Sequence, residues 1–170
     1  MTNRTKSPQI RNYFLEPGYI LIATEPTCIS AVLGSSVSAC IYDRKRQYGG
    51  MNHFRFPFIA DRQKATALYG NVSTLSLIRM MLDNGSKKED LEAQLFGGAH
   101  NQKVSQKDIG MENIRAAQKV LHRCEIRIVS EDVGGLMGRK VVFTTETAEL
   151  AVIRVQNLRK EDWYPYTNDR

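Results

Sequence analysis

Leu33-Gly34-Ser35-Ser36-Val37-Ser38-Ala39-Cys40-Ile41-Tyr42-Asp43 sets a turn of small residues in front of an apolar run. Its continuation, Gly49-Gly50-Met51-Asn52-His53-Phe54, places a second small-residue turn before another strand-like run that Pro57 stops. The pair reads as strand, turn and return strand, 37–42 followed by 51–57. Ser36 and His53 are 53 − 36 = 17 residues apart, a separation that lets the histidine fold back beside the turn carrying Ser36.

Working outward, Tyr19-Ile20-Leu21-Ile22-Ala23 and 28–33 read as strands separated by the Glu25-Pro26 break. After the polar loop 61–64, Leu68, Val72, Leu75, Leu77, Ile78, Met81 and Leu82 recur at three- and four-residue steps. That spacing predicts an amphipathic helix over 65–83, capped by Asn84-Gly85. Strand 90–96 ends at Gly97-Gly98-Ala99, and Ile114, Ala117, Val120 and Leu121 mark a second helix over 109–121. Strands 126–130, 140–145 and 149–155 follow, the first two separated by the Gly134-Gly135 turn, whose glycines are expected at positive φ. Eight strands and two helices without regular alternation predict an α+β fold. Residues 1–12 read as a disordered tail, 13–158 as one domain, and 159–170 as a polar C-terminal tail with Trp163, Tyr164 and Tyr166 as anchors.

The chain has 170 residues, enough for one domain with a real core. Its formal charge of +6 leans mildly towards acidic partners. The basic residues are scattered and no aromatic residues interleave with them, which argues against nucleic-acid binding. Three cysteines, Cys28, Cys40 and Cys124, do not make a disulfide framework and fit a reducing compartment. Cys40 reads as a buried core residue. No apolar h-region and no membrane-length run appear, so a cytoplasmic protein without membrane insertion is expected. No histidine, cysteine or carboxylate set has metal-ligand spacing, so neither metal nor cofactor is expected. Gly134-Gly135-Leu136-Met137-Gly138-Arg139 lacks the Lys-Ser/Thr of a phosphate loop.

Chemistry concentrates at the opening stretch. A histidine within reach of a side-chain nucleophile takes its proton and later returns one to a leaving group. Backbone N–H groups at Gly34, Ser35 and Ser36 could stabilise an oxyanion. Ser30 could orient the imidazole, and Asn52 and Phe54, flanking His53, are assigned to substrate binding. The plainer alternative is a turn of small residues and a satisfied strand histidine.

Several segments together resemble one family. The opening stretch is similar to LGSCVAVCLYD, and Gly49 to Phe54 with Pro57 to GGMNHFMLP. Phe96-Gly97-Gly98-Ala99 with Ile109-Gly110 and Asn113 resembles FGGA…IGxxN, and Asp132-Val133-Gly134-Gly135 with Gly138-Arg139 resembles DxGGxxGR. The family is CheD, the chemoreceptor glutamine deamidases. The resemblance implies a layered α+β fold like that of cysteine-protease-like toxins. It also implies a cysteine nucleophile that converts receptor glutamines to glutamate with release of ammonia. The partners implied are methyl-accepting chemotaxis receptors and, in some species, a CheC-type phosphatase. The family cysteine falls on Ser36, its histidine on His53 and its threonine on Ser30. Serine at the nucleophile position leaves three readings: a deliberate replacement, a natural variant that binds without turnover, or a slow serine amidase.

Overall fold

Both faces of the strand that follows Ser36 are buried, which explains its unbroken apolar character. In the computed structural model, which describes residue 7 and residues 9–167, this strand is β4 (Val37–Asp43). Val37, Ala39 and Ile41 pack with helix residues Leu77, Ile78, Met81, Ile114, Ala117 and Leu121. Cys40 packs the other way, with Ile29, Ala31, Leu33, Met51, Phe96, Val141 and Phe143. The result is three layers: helices, a five-stranded sheet and a four-stranded sheet. This is an α+β layered fold.

The five-stranded sheet runs β2 (Ile20–Ala23), β5 (Tyr48–Asn52), β4, β6 (Leu91–Gly97), β7 (Arg127–Val133). The four-stranded sheet runs β1 (Arg11–Phe14), β3 (Thr27–Leu33), β8 (Gly138–Thr144), β9 (Leu150–Val155). Gly49-Gly50, expected as a turn, lies inside β5. A Cβ on Gly50 would stand 2.6 Å from Ile22, and one on Gly49 2.9 Å from Phe143, so close packing rather than chain reversal selects glycine. The reversal falls earlier, where Gln47 N–H donates to the Asp43 carbonyl (2.8 Å) and the Asp43 carboxylate accepts from the Lys45 and Arg46 amides.

Helix α1 spans Gly70–Asp83, five residues shorter at its start than the apolar spacing predicts. The preceding turn is claimed by pairing instead: the Arg55 and Phe56 amides both donate to the Leu68 carbonyl (2.9 Å each), and Phe56 bridges Tyr69. Helix α2 spans Ile109–Arg123 and is capped by Asp108, whose carboxylate accepts from the Met111 amide. Gly134 and Gly135 do take positive φ, +75° and +73°.

Both expected tails are shorter than read. Residues 1–6 and 8 lie outside the described residues, but Arg11 and Asn12 belong to β1, which pairs in parallel with β3. All four β1 residues are exposed, so backbone pairing is its main hold, with an exposed Arg11–Glu25 ion pair beside it, and no buried face announces it. At the other end Lys160–Asp162 forms a 3₁₀ turn and Trp163 is 5% exposed.

Candidate active site

Ser36 sits in the β3–β4 turn and His53 directly after β5, the neighbour of β4 in the sheet. The pairing of β4 with β5 therefore fixes their separation, and Ser36 Oγ lies 2.9 Å from His53 Nε2. The other ring nitrogen, Nδ1, is 2.9 Å from the Leu15 carbonyl oxygen. A carbonyl can only accept, so Nδ1 carries the proton, and the Nε2 lone pair faces the Ser36 hydroxyl. This is the tautomer a general base requires. Burial pushes the His53 pKa down to about 4; the Leu15 hydrogen bond works against that shift without cancelling it. At neutral pH the ring is uncharged.

Two cross-links bracket the pair. On one side Val37 and Phe54 exchange backbone hydrogen bonds of 3.0 Å each. On the other, Asn113 Nδ2 on α2 donates to the carbonyls of Ser35 (3.0 Å) and Arg55 (2.9 Å). Asn113 is fully buried, and among the described residues its Oδ1 has no partner. The Gly97-Gly98-Ala99 turn grips the same loop: the Gly98 amide donates to the Ser36 carbonyl and the Ala99 amide to that of Gly34.

The expected oxyanion turn is only partly open. Among the described residues the Ser36 N–H has no backbone acceptor, whereas the Ser35 N–H donates to the Asp162 carbonyl at 3.2 Å. The Ser35 hydroxyl accepts from the Tyr164 amide, also at 3.2 Å. Gly34 is glycine because the Asp162 carbonyl and the Trp163 ring lie where its Cβ would stand.

Three expected roles change. Ser30 does not reach His53; the Leu15 carbonyl takes the orienting position. Ser30 contributes one step away, its carbonyl accepting from the Leu15 amide at 2.7 Å. The cause is strand alternation, since Ile29, Ala31 and Leu33 point into the core and Ser30 points away from it. Asn52 and Phe54 are fully buried, and their side chains face the core rather than the Ser36–His53 contact. The Asn52 side chain accepts from the Ala39 amide (2.7 Å), and Phe54 belongs to the core between sheet and helices. Their alternation with exposed neighbours would have been the cue, but residues 48–54 are all buried, so no alternation exists to read.

Leu15, Asn113 and residues 162–164 escaped the sequence reading as site residues. Two of these three act through backbone atoms, which residue types do not reveal. Asn113 had a signal, its place in the IGxxN motif. His100 is not part of the site; its ring bonds the Ser105 carbonyl and approaches Asp108. Among the described residues no group of three or more His, Cys, Asp or Glu could hold a metal. No described helix is long and apolar enough to cross a membrane.

Comparison with known proteins bears on this geometry. Residues 57–154 match the family model for CheD chemotactic sensory transduction. A probable chemoreceptor glutamine deamidase CheD of Trichlorobacter lovleyi is 39% identical over 149 residues, covering 86% of this chain and 92% of that protein. A protein of the same name from Sulfurimonas denitrificans is 34% identical over 84% of this chain and 94% of its own. The chain belongs to the CheD family. A further CheD relative, probable chemoreceptor glutamine deamidase CheD 1 of Anaeromyxobacter dehalogenans, is 36% identical over 76% of this chain and 77% of its own. The CheD family-model match begins just beyond His53, so the Ser36–His53 pair stands on its own geometry.

Proposed function

We propose that this chain is a protein-glutamine deamidase of the CheD lineage, acting on glutamine side chains of methyl-accepting chemotaxis receptors in the cytoplasm. Membership of a family whose relatives are named chemoreceptor glutamine deamidases supports the substrate class. The observation that carries the chemistry is the 2.9 Å contact between Ser36 Oγ and the unprotonated Nε2 of His53.

The reaction follows from that contact. Ser36 Oγ forms a bond to the carboxamide carbon while its proton passes to His53 Nε2. The carbonyl oxygen becomes an oxyanion beside the Ser36 N–H. Collapse breaks the C–N bond, Nε2 returns the proton to the nitrogen, and ammonia leaves. Water, deprotonated by Nε2, attacks the resulting ester. Glutamate is released and the Ser36 hydroxyl is restored. With cysteine at position 36 the intermediate would be a thioester, and the thiol is the better nucleophile. Ser36, His53 and the Ser36 amide are the proposed working groups, Leu15 orients the ring, and Gly34 and Ser35 shape the turn.

A second reading is a CheD-like binding module that engages receptor, or a CheC-type phosphatase, without turnover. The serine at position 36 favours it. Incubation with a receptor cytoplasmic fragment, read by ammonia release and by mass conversion of glutamine to glutamate, separates the two. Deamidase function predicts release by the Ser36→Cys protein and its loss in Ser36→Cys/His53→Ala. Absence of release from Ser36→Cys overturns it. Release by the unsubstituted chain, lost in His53→Ala, removes the binding-only reading. Free glutamine in place of the fragment exposes a general small-molecule amidase.

A further inference from the structure

The residues expected as a loose tail run across the candidate site. From Lys160 the chain makes a 3₁₀ turn and passes Gly34-Ser35 in close backbone contact. The Asp162 carbonyl takes the Ser35 N–H, and the Tyr164 N–H takes the Ser35 Oγ. One bond to the Ser35 amide and one to its hydroxyl, from alternate residues, hold the segment against this turn. On the far side, Arg55, two residues after His53, donates to the Glu161 carbonyl and stacks on Tyr166, its guanidinium carbon 4.4 Å from the ring centre. The Tyr166 hydroxyl returns a bond to the Arg55 carbonyl. The segment thus touches the loops of both catalytic-pair residues. Beneath it Ser36 is 3% exposed and His53 2%. A receptor glutamine cannot reach Ser36 Oγ while the site is closed to this degree.

We propose that the Gly34–Ser35 edge is a docking site for an extended polypeptide backbone, and that the chain's own residues 161–164 occupy it as an intramolecular competitor of the substrate. The Asp162 carbonyl takes the Ser35 N–H, the backbone donor next to the Ser36 N–H proposed for the oxyanion. Its hold on the site is a few hydrogen bonds, the Arg55–Tyr166 stack and the buried Trp163 ring, so release has to expose that ring. One flank of Trp163 lines a cavity of about 520 Å³ with His100, Leu136 and Leu158, which gives the ring room to shift. Displacement of the strap uncovers Ser36 and frees the Ser35 N–H in one movement. Receptor binding and strap release are therefore linked.

This inference rests on the proposed active site, and its test reads access separately from chemistry. Full-length Ser36→Cys protein is alkylated with iodoacetamide at neutral pH. Modification of the thiol introduced at position 36 is followed by peptide mass mapping, which separates it from Cys28, Cys40 and Cys124. The same measurement is made in Ser36→Cys/Trp163→Ala and Ser36→Cys/Tyr166→Ala, with thermal unfolding confirming that each is folded. Tyr166 is only half-buried, so its variant guards against a folding failure at Trp163. The expected rise in the alkylation rate constant at position 36 is about tenfold, as for losing one closing contact of a local opening. Ammonia release from a receptor fragment is measured alongside. Unchanged alkylation at position 36 in both folded variants overturns the strap, even if ammonia is released. Faster alkylation supports it; faster alkylation without ammonia from any variant supports the strap while overturning the deamidase reading.

Discussion

His53 makes a prediction that depends on burial alone and needs no substrate. Its pKa falls from an ordinary 6.5 to about 4 in the folded chain because the ring is buried. The unfolded chain therefore binds more protons than the folded chain between these values, so stability rises with pH through that window. The contribution is complete above the unfolded pKa and is lost as pH falls towards 4. Between pH 7 and pH 5, His53 should withdraw about 2 kcal/mol, the linkage result for a shift of this size. Replacing it with a neutral side chain, His53→Gln, should remove that component and leave the rest of the acid sensitivity in place. Urea unfolding of both proteins at the two pH values gives the difference directly, because carboxylates titrating elsewhere cancel in the comparison. Equal pH dependence in the two proteins, or a His53 imidazole titrating near its ordinary value by NMR, would refute the assigned neutral tautomer and the closed site with it.

Other predictions follow from the groups around the pair. Asn113→Ala leaves the Ser35 and Arg55 carbonyls without their donor and should cost about 2 kcal/mol, read from the urea midpoint. The loss is limited because the unpartnered Oδ1 departs too. Gly34→Ala drives a Cβ into the Asp162 carbonyl and the Trp163 ring. It should cost about 1–3 kcal/mol or push the strap aside, and the single tryptophan reports the second outcome as a red-shifted emission.

The fold was legible where periodicity and packing agree. The unbroken apolar run of β4 and the three-four spacing of α1 and α2 mark the core, and the α+β class follows from their order. What stayed hidden is held by backbone. β1 has four exposed residues and exists through its ladder to β3. The C-terminal strap is polar apart from its aromatic anchors, and the bonds from Ser35 and Arg55 reveal its course. The same distinction governs the site. The closeness of Ser36 and His53 was foreseen from their separation, with a plain turn and a satisfied histidine left open beside it. The Leu15 carbonyl, which sets the imidazole tautomer, is a property every residue shares, so leucine carries no mark of it. Ser30, Asn52 and Phe54 lie away from the contact for a complementary reason: strand alternation turns Ser30 aside, and Asn52 and Phe54 are taken up in the interior.

Magnitudes also decide what the residue at position 36 can do. Moving a proton from a thiol of pKa about 8.5 to an imidazole at about 4 costs about 6 kcal/mol. The attraction of the resulting charges, at the 2.9 Å separation and an effective dielectric of about 20, returns about 6 kcal/mol. A thiol at position 36 open to water would therefore be close to balance with His53, whereas burial raises a thiol's pKa, as it does at Cys40, and tips the closed pair towards its neutral form. A serine hydroxyl is far less acidic than a thiol, so the same transfer stays well uphill after the same attraction. Ser36 must stay protonated until the moment of attack. Ser36→Cys should therefore raise the protonated fraction at His53 Nε2 above that of the unsubstituted chain at neutral pH, to the extent that the site opens, visible in the imidazole ¹⁵N shifts. Identical shifts in the two proteins would mean that the closed site excludes the ion pair. Cysteine chemistry would then have to begin in a state with the strap displaced.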